Sequence, residues 1–408
     1  MVKKYVAHLI LLIIILALSA IGGSSVYLTR TYPLTSANTS AMYYWEHLLH
    51  PHVKMQKESI GFLPYWRIDD SKYTRLDLIT EVNYFGLFVN KEGEFVKVIN
   101  GETNPGKREW ESQTIKDLIT KTHINGAKFT LSIICQDNND IESILDKQEA
   151  QRKLIINIIN EVKSRNLDGI NVDFEYLGTP DDKYRQEFTE FSKKLKSALK
   201  DQNSEIKLEI SVQPQATRKS DIIDFRALTP VYDNFIGMSY DYYNSASEIA
   251  GPIAPMTGFK ENKYFFDVTS MYEGLEKLLP KEKILMGVPH YGWDWAVEDG
   301  KTIQSPTFSQ NSPEGYAAVI SYARAKEFKN FKKNQCFFDS YAMEPWCWYT
   351  DSKTKADHQV WFENTKSIGI KYDFVNKQDL GGIAIWVLGY DTTYPDLWDM
   401  MKDKFSKK

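Results

Sequence analysis

Eight short apolar runs, spaced along the chain and separated by longer amphipathic stretches, constrain its folding more than any other feature. They are IGFLPYW (60–66), VNYFGLFV (82–89), AKFTLSII (127–134), LDGINVDFE (167–175), IKLEISVQP (206–214), FIGMSYDYY (235–243), ILMGVPHYG (284–292) and GGIAIWVLGYD (381–391). Near-continuous apolar runs of this length suit strands buried on both faces, and such strands need helices outside a parallel sheet. Helical stretches do lie between them, at 149–166 and 186–202. In the first, Leu154, Ile155, Ile158, Ile159 and Val162 recur at helical spacing. Eight such alternations predict an α/β fold, a (β/α)8 TIM barrel over residues 59–403. An open doubly wound sheet is the alternative, but no Gly-rich phosphate loop follows the first run.

The ends and the longest interval read differently. Residues 296–357 are too long for one helix and predict a small α+β insertion between the seventh and eighth strands. It lies at the end of the barrel where active sites sit. Its aromatics, Phe337, Phe338, Tyr341, Trp346, Trp348 and Tyr349, would there wall a groove. At the N-terminus, Lys3 and Lys4 precede an apolar run from Leu9 to Ala20, with small residues beyond, the layout of an export signal. Tyr5 to Leu28 spans 24 residues, enough to cross a bilayer at about 20 residues per span. Residues 1–30 thus form either a cleaved signal peptide or an uncleaved signal anchor whose N-terminus stays inside. Both put the rest of the chain outside the cytoplasm, and the anchor makes the membrane a partner. Residues 31–58 read as a polar stem. Its His47, His50 and His52 have nothing nearby to complete a metal shell.

Composition removes other classes. Across 408 residues, Lys+Arg 50 against Asp+Glu 54 gives a net charge of −4, which leaves no basic footprint for nucleic acid. Of the residues, 42% are hydrophobic and 25% charged, ordinary globular usage. The 13% aromatic content serves either a large core or a groove for flat ligands such as sugar rings. Three cysteines exclude a disulfide-built scaffold; an exported chain can pair Cys336 with Cys347 and bury Cys135 as a thiol. His290 and His358 are isolated and no HExxH occurs, so no metal and no cofactor are expected. A monomer is expected.

The most informative segment is DGINVDFEYLG, Asp168 to Gly178. Side chains alternate along a strand, so Asn171, Asp173 and Glu175 share one face while Ile170, Val172 and Phe174 share the other. The apolar set can pack on the outer helices. The polar set then climbs the barrel interior toward its C-terminal mouth. Three polar groups in an otherwise apolar strand are costly to bury without a purpose. Neighbouring carboxyls repel, and Asp173 would raise the pKa of Glu175, as a general acid near neutral pH requires.

DGINVDFE resembles the DGxDxDxE signature of the family 18 glycoside hydrolases, the chitinases and their relatives. MSYD (238–241) resembles that family's sixth-strand MxYD, GVPHYGWDW (287–295) its seventh-strand segment and GGIAIWVLGYD its eighth-strand tryptophan motif. HQVWFENTKSIGIKYDF (358–374) is similar to the stretch before that last strand. The resemblance covers residues 59–400 and is nearest in texture to the bacterial branch directed at spore cortex and peptidoglycan. It implies hydrolysis of β-1,4 bonds in N-acetylglucosamine-containing glycans, with the substrate's own N-acetyl oxygen as nucleophile. By that resemblance Glu175 is the general acid and base, and Asp173 orients the acetamido group. Tyr240 and Asp241 hold its oxygen and nitrogen, and Trp386 floors the sugar. Tyr65, Gln213, Met238 and Tyr291, at the ends of other strands, are further pocket candidates. The chain departs from the pattern at Asn171, where the family often has Asp, which reads as a change in pH tuning rather than a loss of activity. The competing class is a non-catalytic glycan-binding relative, which the retained Glu175 opposes.

Overall fold

The computed structural model describes residue 31 and residues 34–407, apart from positions 220, 310, 316, 329–331, 333 and 334. The signal or anchor segment at 1–30 lies outside the described residues. Among those described, no helix is long and apolar enough to cross a membrane.

Each of the eight apolar runs forms a strand. We number them β1 (Glu58–Pro64), β2 (Glu81–Phe88), β3 (Lys128–Cys135), β4 (Gly169–Phe174), β5 (Lys207–Val212), β6 (Asn234–Gly237), β7 (Ile284–Pro289) and β8 (Gly382–Trp386). All pair in parallel with their sequence neighbours. β1 closes the barrel on β8, with Ile60 opposite Ala384. The helical stretches are found as Gln148–Arg165 and Asp182–Lys200. The outward face of β4 packs on the second of these, with Phe174 stacked at 6.0 Å on Phe191. Inside, Ile60, Phe62, Phe85, Ile134, Ile236, Leu285 and Ala384 form a separate apolar layer.

The base of the barrel is ionic. Lys207 Nζ on β5 lies 2.5 Å from Glu58, 3.3 Å from Glu81 and 3.5 Å from Glu209. These three carboxylates are close enough together to suggest a cation site. Lys207 already supplies the positive charge there, and the cluster sits at the opposite end from the β4 carboxylates. Burial and the Glu81 charge push the Glu209 pKa well up.

From that base a polar chain climbs through the interior. Thr130 Oγ1 donates to Glu81 (2.6 Å), Asn83 Nδ2 donates to Thr130 (2.8 Å), and Ser132 Oγ donates to Asn83 Oδ1 (2.6 Å). Asn171 Oδ1 then accepts from Ser132 (3.2 Å) and Ser211 (3.0 Å). Buried polar groups need such partners, and each strand here supplies them to its neighbour.

The insertion is present but longer than its sequence suggests. It is a five-stranded antiparallel sheet in the order Ala318–Ser321, Tyr291–Val297, Asp357–Phe362, Pro345–Thr350, Cys336–Phe338, with the short helix Tyr322–Glu327. It begins at Tyr291 because only His290 separates that strand from β7. Cys336 and Cys347 face each other across its edge and are disulfide-bonded, while Cys135 is a buried thiol pushed up to about 12 by burial. Part of the predicted stem is also ordered: Ala37–Leu49 is a helix laid against the helix Gln113–Ile124.

Candidate active site

The C-terminal mouth of the barrel opens on a cleft of about 300 Å³. Seven of the eight strands, all but β7, contribute to its wall from their own residues or the turn that follows. Phe62 and Phe85 come from β1 and β2, Gln136 follows β3, and Asp173 and Glu175 stand at the end of β4. Ser211 and Pro214 come from β5, Met238, Tyr240 and Asp241 from the turn after β6, and Trp386 from the last residue of β8.

Strand alternation places the acidic pair as the sequence suggests. Asp173 is buried and Glu175 half-buried at the mouth. The Glu175 backbone N–H donates to Cys135 O (2.9 Å), tying it to β3, and Gln136 Nε2 donates to Glu175 Oε1 at 2.6 Å. The carboxyl driven well above the ordinary aspartate range is Asp173. Burial is the first cause and the Glu175 charge the second, with a Ser211 hydrogen bond opposing them. Its Oδ1 is buried without a protein partner, as is Asn171 Nδ2 below it.

The β6 turn supplies the second wall. Asp241 adopts φ +55, a left-handed conformation that aspartate tolerates better than most residues. Its Oδ1 accepts from Trp293 Nε1 at 2.8 Å. Burial raises its pKa, while Trp293 and the neighbouring Tyr291 hydroxyl oppose the rise. Tyr240 is also raised, by burial and then by the Asp173, Asp241 and Glu175 charges, so its hydroxyl keeps its proton and can donate. The Trp386–Val387 peptide is cis, and the Trp386 ring stacks beside Tyr240 with the edge of Phe85 against it.

Of the residues singled out from sequence, Glu175, Asp173, Tyr240, Asp241, Trp386 and Met238 meet in one cleft. Asn171 lies beneath it as the top of the buried polar chain. Tyr291 is buried behind Asp241 and acts on it from outside the wall. Tyr65 and Gln213 do not line the cleft: Tyr65 packs at 4.9 Å on Trp66 in the turn after β1, and Pro214 takes the wall position beside Gln213. The insertion aromatics are also placed differently. Trp346 stacks on Trp361 and Tyr349 on His358 inside the insertion sheet, because a sheet of this size needs its own core. Asp294, on the first strand of the insertion just beyond β7, is held by His358 Nδ1 (2.8 Å) and Tyr349 OH (2.9 Å) within that sheet. Burial lowers the His290 pKa to about 3, so this ring stays neutral.

Sequence reasoning missed Gln136 and Trp293, which hold the Glu175 and Asp241 carboxylates. Gln136 is the first polar residue after the third run, and Trp293 sits within GVPHYGWDW two residues past Tyr291.

The chain is similar to known proteins in sequence and in fold. The chain is 25% identical over 268 residues to a cortical fragment-lytic enzyme of Bacillus subtilis (strain 168), covering 64% of this chain and 56% of that relative's length. The spore cortex-lytic enzyme SleL of Bacillus megaterium QM B1551 shares the fold, with a TM-score of 0.65 at 22% identity over 86% of this chain and 74% of that one. So does a chitinase from Cycas revoluta crystallised with (GlcNAc)3, with a TM-score of 0.70 at 17% identity over 85% of this chain and 99% of that one. Residues 58–391 match the model of the glycosyl hydrolases family 18, and the chain belongs to that family.

Proposed function

We propose that the protein hydrolyses β-1,4 bonds in glycans containing N-acetylglucosamine, with Glu175 as the acid that protonates the leaving oxygen and the base that then activates water. The observation that carries this reading is the placement of Asp173 and Glu175 at the end of one strand, in a cleft that Tyr240 and Trp386 also line. The cleft offers an acid and a second carboxyl on the same strand face, the arrangement that lets an acetamido group act as the internal nucleophile. Asp173 then hydrogen-bonds the acetamido nitrogen and stabilises the positive ring that forms from it. The Tyr240 hydroxyl donates to the acetamido oxygen, and Asp241 accepts from a polar hydrogen on the sugar. A protein nucleophile is disfavoured, since Asp294, the carboxylate that follows β7, is tied down in the insertion sheet.

Cortex peptidoglycan is the favoured substrate, given the cortical fragment-lytic relative, and chitin oligomers are the simpler substrate of the same linkage. In the same reading, residues 1–30 export the barrel and tether it to the outer face of the membrane. The test incubates the full chain with chitin oligomers and with purified peptidoglycan and identifies the released fragments by mass. Glu175→Gln should lower turnover by about 10²–10⁴-fold, the usual worth of a positioned acid–base group, with oligomer binding retained. Cleavage at the wild-type rate by this variant would sink the assignment.

A further inference from the structure

The helix Ala37–Leu49 wears its apolar side outward. Its inward stripe is Ser40, Tyr43 and His47, at spacings of three and four residues. Ser40 is buried and bonded to Thr35 at 2.6 Å, and the Tyr43 ring lies 5.5 Å from Lys121 Nζ. The opposite stripe is Met42, Trp45 and Leu49, which are 58%, 66% and 77% exposed, with Leu48 at 50% and Tyr44 at 43% along its flank. Burying apolar residues is what normally docks a helix on a barrel, and here the polar stripe docks instead. Glu46, the helix's one carboxylate, is drawn aside to Lys121 at 2.9 Å, which leaves the outward face uncharged. A contiguous apolar face of this kind marks an interaction surface.

We propose that this face docks flat on a lipid bilayer. The inference rests on the reading of residues 1–30 as a membrane anchor. Leu28, the last of the apolar segment, and Ala37 are nine chain steps apart, with eight residues between them. Fully extended, these steps reach about 30 Å at most, so an anchored chain holds this helix close to the membrane surface. Trp45 and Tyr44 are the residue types that settle at the lipid headgroup level. Met42, Leu48 and Leu49 suit the boundary with the acyl chains. The helix runs in the same direction as Gln113–Ile124: Gln113 Nε2 donates to Leu34 O at 3.3 Å near one end, and Glu46 meets Lys121 near the other. It therefore lies along the barrel flank, and docking on it turns the cleft mouth along the membrane plane, towards polymer lying over the surface.

The test uses tryptophan fluorescence. Trp45 is the first tryptophan in the chain, so the anchor segment contributes no signal of its own. The full chain is reconstituted in 3:1 phosphatidylethanolamine–phosphatidylglycerol vesicles containing lipid brominated near the headgroup, beside the Trp45→Phe variant. Quenching of the wild-type emission should fall sharply in Trp45→Phe, while vesicle flotation and glycan cleavage stay unchanged. A companion Met42→Gln/Leu49→Gln variant should shift Trp45 emission to the red on vesicles. Flotation with equal quenching in wild type and Trp45→Phe overturns the docking face and leaves the anchor standing. Failure to float overturns both. Equal quenching together with a dimer in detergent that Met42→Gln/Leu49→Gln dissolves assigns the face to a second copy and overturns the bilayer.

Discussion

The Tyr240 and Trp386 rings stand 6.0 Å apart between centroids and only 9° from parallel. That separation is the range of two rings in mutual contact, so no sugar slots between them. They form one offset platform, with the phenol hydroxyl on the acidic side and the indole face open to the cleft. Phe85 braces the indole edge-on at 4.9 Å and Phe62 at 5.9 Å.

Removing the platform should therefore cost turnover more than fold. Trp386→Ala is expected to lower kcat/KM on chitin oligomers by about 30-fold, the equivalent of roughly 2 kcal/mol, and Trp386→Phe by less. Steady-state kinetics on both variants check this. Equal losses from the two would mean that the flat indole face is not what the sugar uses.

Asp173 makes a prediction of opposite sign for activity and stability. Its folded pKa lies above its unfolded value, so the folded state binds the proton more tightly. The stability this group contributes is present in full below the unfolded pKa and is lost as pH rises through the folded pKa. Asp173→Asn should abolish turnover yet make the protein more stable at pH 7, by at most about 1.4 kcal/mol for each pH unit of the rise that lies below pH 7. Urea unfolding of the two proteins at neutral pH measures the difference. A less stable Asp173→Asn would contradict burial as the cause.

The barrel was legible because its strands are buried on both faces and so stand out as apolar runs in sequence. The acidic strand was legible because Asn171, Asp173 and Glu175 interrupt such a run on one face. What lay hidden depends on neighbours far apart in the chain. Gln136 and Trp293 matter only through the carboxylates they reach, 39 and 52 residues away. The insertion aromatics misled for a related reason: composition shows a cluster of rings, but not that Trp346 and Trp361 spend their faces on each other. Nor does the pattern of Ala37–Leu49 reveal which stripe turns inward, since that is decided by Lys121 on a distant helix.

Asn171 gives a pH prediction. Its Oδ1 takes two serine hydroxyls, and its Nδ2 sits buried and unpartnered beneath Asp173. Asn171→Asp would add a third carboxyl beneath the buried Asp173 and the half-buried Glu175, and like charges raise pKa values. The acid limb of the kcat/KM profile should move to higher pH, because Asp173 beside an added carboxyl holds its proton to higher pH. A profile that stays in place, or moves to lower pH, would show that the amide does not tune the pair.

The insertion is fastened to the barrel by a buried ionic group whose removal should be felt across the whole fold. Lys371 Nζ, fully buried on the helix Thr365–Gln378, lies 2.6 Å from Glu363 and 3.6 Å from Glu344. Glu344 in turn accepts from the backbone N–H groups of Ile253 and Ala254, at 3.0 and 2.7 Å. Lys371→Met fills similar space but leaves two buried carboxyls with no cation, a change that costs about 3–5 kcal/mol when one partner of a buried pair is lost. Burial and the Glu363 charge already raise the Glu344 pKa, and Lys371 holds it down. Without the lysine that pKa climbs further, so the added deficit should be small where Glu344 is protonated and should grow as pH rises. Urea unfolding of Lys371→Met at about pH 5 and about pH 8 reads this slope directly. A double variant, Lys371→Met with Glu363→Gln, should recover part of the loss at the higher pH. An equal deficit at both pH values, with no recovery in the double variant, would mean that packing of the lysine stem, and not its charge, fastens the insertion.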